Sequence, residues 1–160
     1  MLFRSWPRIL AVYAGPGLLS GVAEPVTLAG VRYYLWEPGG WRAAVNASGF
    51  FGVANAGQLA FEFGHEAAKW SAGAAVGVGM RDRVSSCTDA AGAAIDCPAY
   101  ASLMGTAHAH LTVYVGGGFA GFCRVEAATS KYAPAYVGGF AGAQRSEEHT
   151  SELQSHLNLV

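Results

Sequence analysis

Charge is the scarcest resource in this chain. Only 13% of its 160 residues are Asp, Glu, Lys or Arg, about half the usual share for a water-soluble domain. The net charge is −1. That balance excludes the basic footprint of a nucleic-acid binder, so no nucleic-acid partner is expected. Uninterrupted apolar runs are also missing. Ala43–Phe61 and Pro98–Cys123 contain no charged residue and have the length of a bilayer-spanning helix. They are nevertheless broken by Asn46, Asn55, Gln58, His108 and His110 and by many glycines, and their period is two rather than 3.6. Mean hydropathy is only +0.25. A multi-pass helical membrane protein is therefore a rival reading and not the favoured one.

Cysteine is sparse too, with three in the chain. Cys87 and Cys97 flank a short spacer rich in Ala and Asp. They suit either a small-loop disulfide in an oxidising compartment or two free thiols. Cys123 has no evident partner and reads as a small apolar residue.

What the chain has instead is glycine, 22 residues of it, together with four Trp and seven Tyr. The clearest pattern lies in Trp70–Arg81. Trp70, Ala72, Ala74, Val76, Val78 and Met80 share one parity; Ser71, Gly73, Ala75, Gly77, Gly79 and Arg81 share the other. A helix would scatter those glycines around its surface at about 1 kcal/mol each relative to Ala. A strand gathers them on one side. Trp41–Gly52 and Leu59–His65 alternate in the same way, and Val26–Trp36 is β-branched and aromatic. Glu37-Pro38-Gly39-Gly40 between two such runs signals a hairpin turn.

Arg8–Ser20 and Tyr132–Gln144 complete the strand candidates, with Leu111–Cys123 between them. Arg124–Lys131 reads as a link, and Asp82–Ala107 as a long loop. Met1–Ala23 also resembles a signal peptide, with Arg4 and Arg8 ahead of an apolar run, but Pro16 between two glycines interrupts that run and favours a first strand. Arg145–Ser155 (RSEEHTSELQS) resembles a translated sequencing adapter. Residues 145–160 are accordingly set apart from a domain spanning 24–144, which is expected to be a fragment.

Leu111–Cys123 (LTVYVGGGFAGFC) carries two incompatible readings. As a strand it continues the alternation. As a motif, Gly116, Gly118 and Gly121 match G-x-G-x-x-G after a β-like run, the dinucleotide turn of a flavin- or NAD-binding oxidoreductase. Against that enzyme stand two features: no acidic residue follows about 20 positions on, and the string GGFAG recurs at Gly138–Gly142. The favoured reading needs no cofactor and is not catalytic. Adjacent His65 and Glu66 would point to opposite faces of a strand. His108 and His110 share a face, but no third ligand follows at a recognisable spacing, so no metal site is assigned.

Most candidate strands run ten to thirteen residues, longer than the usual soluble strand of about 5–6 and suited to a tilted membrane strand of about 9–11. With one face apolar and the other small or polar, a soluble sandwich or lipocalin-like module is disfavoured by the low charge. The pattern over Val26–Gln144 resembles the small outer-membrane β-barrel proteins of Gram-negative bacteria. The resemblance implies an all-β, antiparallel up-and-down membrane barrel in the bacterial outer membrane, incomplete here at six to seven strands because closure takes at least eight. It implies the lipid bilayer as partner, a structural or narrow-pore role, and room for a small solute. Arg32, Arg42, Asn46, Glu62 and Arg81 would face the lumen. Tyr33, Tyr34, Trp36, Trp41, Trp70, Tyr132 and Tyr136 would form interfacial girdles, with the long Cys-bearing loop facing outward.

Overall fold

A computed structural model describes residues 8–22, 24–36, 39–52, 55–83, 86–88, 94–96, 100–129 and 135–148. The elements among the described residues are all strands: β1 Arg8–Leu19, β2 Val26–Trp36, β3 Trp41–Phe51, β4 Ala56–Glu66, β5 Trp70–Arg83, β6 Ser86–Thr88, β7 Ala94–Asp96, β8 Tyr100–Gly116, β9 Phe119–Thr129 and β10 Tyr136–Glu148. Eight of them close an antiparallel barrel in the order β1-β10-β9-β8-β5-β4-β3-β2, and β6 with β7 forms a separate hairpin between β5 and β8. No helix long and apolar enough to cross a membrane occurs among the described residues, which removes the multi-pass helical alternative for them.

Closure corrects the expected six or seven strands to eight. The difference lies mainly at Leu111–Cys123, which is a hairpin and not one strand. Gly116, Gly117 and Gly118 take φ of 124°, 60° and 77°, a region that favours glycine, and the chain reverses there from β8 into β9. The dinucleotide alternative fails at the same point. No helix follows the glycines, and Gly121 lies on the outer face of β9. Downstream, Arg124 and Glu126 belong to β9 rather than to a link, and β8 begins at Tyr100, inside the segment expected to be loop. The last strand runs on to Glu148, so Arg145–Glu148, set aside in the sequence, pair with β1 through Arg145↔Val12 and Ser146↔Ala11.

The β1–β10 seam also accounts for Pro16. Proline has no N–H to give a ladder. Pro16 pairs with Thr27 of β2, while the β1–β10 ladder skips Gly15 and Pro16 between Ala14↔Ala143 and Gly17↔Phe140 without changing register. The missing donor falls where that ladder is interrupted.

Burial alternates residue by residue, as in β9, where Ala120, Phe122, Arg124, Glu126 and Ala128 are buried and their neighbours exposed. The outer face carries Leu18, Leu59, Phe61, Val76, Val78, Leu103, Val113, Val125 and Val137, all about half exposed or more. Among the described strand side chains, outward charge occurs only at Asp82 and Arg145, both near strand ends. An eleven-residue strand rises about 36 Å. Tilted by about 40°, it stands roughly 28 Å tall, the height of the apolar band of a membrane barrel.

Inside, the barrel is divided. Toward the turns that join β1 to β2, β3 to β4 and β9 to β10, an apolar cluster fills it: Leu19, Val26, Leu28, Phe50, Met104, Phe122, Tyr136 and Phe140. Phe50 meets the Tyr136 ring edge-on at 5.5 Å. The middle is polar, and Ala11, Tyr34 and Ala44 form a small apolar group near the other end.

Candidate functional site: a charged network inside the barrel

Strand parity aims the polar side chains inward, and cross-strand register brings them to one level. Arg32 on β2 lies beside Asn46 on β3, and Ala44 on β3 beside Glu62 on β4. Arg32, Arg42, Asn46 and Glu62, four of the five residues assigned to the lumen in the sequence, are at most 3% exposed. Arg32 donates from Nε to Glu62 Oε2 at 2.8 Å and from Nη1 to Gln144 Oε1 at 3.0 Å. Asn46 Nδ2 donates to the same Glu62 oxygen at 3.3 Å. Arg42 donates to Glu66 Oε2 at 3.0 Å and to His110 Nε2 at 2.8 Å, and its Nη2 stands 3.6 Å from Glu62 Oε1. The fifth, Arg81, is separate. It is half-buried, with its guanidinium 5.2 Å from the Tyr136 ring centre at the apolar end.

A second half of the network was not singled out in the sequence. Arg124 pairs with Glu126 on its own strand and donates to Tyr13 Oη at 3.0 Å and Ser48 Oγ at 3.3 Å. Glu126 also accepts from Gln58 at 2.7 Å and Tyr136 at 2.5 Å. Tyr13 joins the two halves by donating to Asn46 Oδ1 at 2.7 Å. Three guanidinium groups thus meet two fully buried carboxylates, Glu62 and Glu126, and a partly buried third, Glu66. Such pairing is the condition under which charge survives burial. The signal for Arg124 and Glu126 was present as Cys-Arg-Val-Glu-Ala, polar on one parity and apolar on the other.

His108 and His110 on β8 also point inward, at 4% and 6% exposure, and the fold supplies a neighbour that the sequence spacing did not. His110 Nε2 lies 3.5 Å from Glu62 Oε1 and His108 Nε2 lies 3.8 Å from Glu62 Oε2. Each of the three residues has at least one buried polar atom without a hydrogen-bond partner in the protein: Glu62 Oε1, His110 Nδ1 and both ring nitrogens of His108.

The aromatic girdle needs one correction. Tyr33, Trp36, Trp41 and Trp70 are exposed on the outer face, all near the end that carries the β2–β3 and β4–β5 turns, with Trp41 stacked on Phe63 at 5.4 Å. Tyr34 and Tyr136 point inward, at 6% and 3% exposure. Parity decides this: each is one residue, or an odd number of residues, away from an outward-facing neighbour. Tyr132 lies outside the described residues. So does Cys97, and with it the Cys87–Cys97 pairing; Cys123 is a free, exposed thiol on β9.

No protein-family model matches the chain, and no curated protein matches it by sequence. Solved structures do resemble it. The N-terminal β-barrel domain of Pseudomonas aeruginosa OprF aligns with a TM-score of 0.64 at 11% identity, covering 86% of this chain and 96% of that one. Ail of Yersinia pestis, solved with the heparin analogue sucrose octasulfate, aligns at 0.55 with 9% identity, covering 86% and 96%. A de novo designed transmembrane β-barrel aligns at 0.54 with 13% identity, covering 88% and 97%. At these identities the likeness is one of fold: a closed, eight-stranded, antiparallel up-and-down barrel, the architecture of small membrane barrels.

Proposed function

We propose that this chain is an outer-membrane β-barrel protein of the Gram-negative type, non-enzymatic, whose role is that of a membrane-embedded scaffold. The observation that carries the reading is the reversal of the usual burial rule. Large apolar side chains such as Val76, at 68% exposure, and Leu103, at 70%, cover the outside, while Arg42 and Glu62, at 0%, lie inside. A water-soluble barrel would place them the other way round. A bilayer is the solvent in which this arrangement is the stable one, because closure leaves no strand edge unpaired in hydrocarbon.

A narrow pore is the second reading, favoured by the continuous polar middle of the interior. The apolar cluster around Leu28, Phe50 and Phe140 weighs against steady conduction, since it fills one end. The scaffold reading therefore expects a closed barrel.

The test is insertion from urea into preformed phosphatidylcholine vesicles. The reading expects a β-sheet circular-dichroism spectrum, a band that migrates differently on gels when unheated, and no sustained conductance in planar bilayers. A chain that stays monomeric and folded in plain buffer would overturn the membrane assignment. Steady single-channel conductance would favour the pore.

A further inference from the structure

The geometry points to a divalent transition-metal site inside the barrel, with His108, His110 and Glu62 as ligands. Two imidazoles and a carboxylate form the donor set that Zn²⁺ takes in many proteins. Their ligating atoms lie within 4.8 Å of one another, and all three residues are buried. The individual separations are informative. His110 Nε2 to Glu62 Oε1 is 3.5 Å and His108 Nε2 to Glu62 Oε2 is 3.8 Å, too long for hydrogen bonds. A tetrahedral ion with bonds of about 2.0–2.1 Å separates its ligand atoms by roughly 3.3 Å, and each imidazole already stands near that spacing from one of the two Glu62 oxygens. Neither ring nitrogen of His108 has a partner in the protein, an unusual state for a side chain at 4% exposure.

Arg42 is the competitor. It donates to His110 Nε2 at 2.8 Å and stands 3.6 Å from Glu62, placing its own positive charge against two of the three ligands. It also holds Glu66 at 3.0 Å, so it can release His110 and keep a carboxylate. Arg32 likewise retains Gln144. The metal therefore exchanges with a guanidinium contact instead of adding to an anionic cage. Binding is expected to be modest, in about the micromolar range, and sensitive to what stands at position 42.

The experiment uses the full chain folded in detergent, with His149→Ala and His156→Ala as background to remove the two histidines outside the described residues. Zn²⁺ is titrated by calorimetry and Co²⁺ by its visible absorption, each added during folding and again after it. The expected result is one saturable site with the intense Co²⁺ bands of tetrahedral coordination. Binding weakens by more than about tenfold in His108→Gln, His110→Gln and Glu62→Gln, persists in His65→Ala, and tightens in Arg42→Gln. Folding of every variant is checked by unheated gel mobility. The inference is overturned if the folded background chain shows no saturable binding, even where Arg42→Gln binds. It is also overturned if the His108→Gln/His110→Gln double variant binds as before, or if His65→Ala abolishes binding.

Discussion

Tyr13 lies across Gly30 on the neighbouring strand. A β-carbon on the glycine would stand 2.4 Å from the phenolic oxygen, and the two residues are direct cross-strand partners. The glycine makes room for the ring that links the halves of the interior network, through Asn46 on one side and Arg124 on the other. Gly30→Ala should push Tyr13 out of that position. The expected loss is about 1–3 kcal/mol, the usual result of overpacking, read by reversible urea unfolding in vesicles. Tyr13→Phe, which keeps the ring and removes only the hydroxyl, should cost less, about 1 kcal/mol.

The Arg32–Glu62 pair sets up a second contrast. Glu62→Ala leaves Arg32 and Arg42 facing each other without their shared carboxylate and should destabilise the barrel by about 3–5 kcal/mol. The double variant Arg32→Met/Glu62→Ala removes both charges and should fall well short of the sum of the losses from Arg32→Met and Glu62→Ala. A double-mutant cycle measures this coupling. Additive losses would mean that the two side chains do not depend on each other.

Membrane depth makes a third prediction. Val76 lies midway along β5 and Val137 near the start of β10, both outward and more than half exposed. Val76→Arg should cost about 2–4 kcal/mol in a bilayer, and Val137→Arg about 0–1 kcal/mol. Equal costs would show that neither position senses a hydrocarbon core.

At the β8–β9 turn, Gly117 has φ of 60°. Gly117→Val should destabilise the barrel by about 1–2 kcal/mol through backbone strain alone. Gly139→Ala is the control. A β-carbon at that outward position meets nothing within 4 Å, and its effect should stay within about 0.5 kcal/mol. The same unfolding assay reads both.

Much of the barrel was legible in Trp70–Arg81, where alternation between Val76, Val78 and Met80 and their glycine neighbours matches the observed faces. Leu111–Cys123 was misread for a specific reason. A two-residue turn at Gly117-Gly118 preserves parity, so Val115 before it and Phe119 after it both face outward, and the alternation passes through the reversal unbroken. Only the glycine triplet marks the turn, and it reads equally well as a phosphate loop. Arg124 and Glu126 were assigned to a link because charge ordinarily signals solvent. Inside a barrel each becomes the other's partner. The neighbour of His108 and His110 could not be found by spacing at all. Glu62 lies two strands away around the barrel, brought close by β5 pairing with both β4 and β8.

The most direct test of the central claim is the lipid accessibility of successive positions along β5. Single cysteines placed from Ser71 to Met80, in a Cys87→Ala/Cys97→Ala/Cys123→Ala background, carry a fluorophore that bilayer-embedded nitroxide lipids quench. A membrane barrel predicts strong quenching at 72, 74, 76, 78 and 80 and weak quenching at 71, 73, 75, 77 and 79. Quenching that follows a 3.6-residue period, or that is absent throughout, would contradict it.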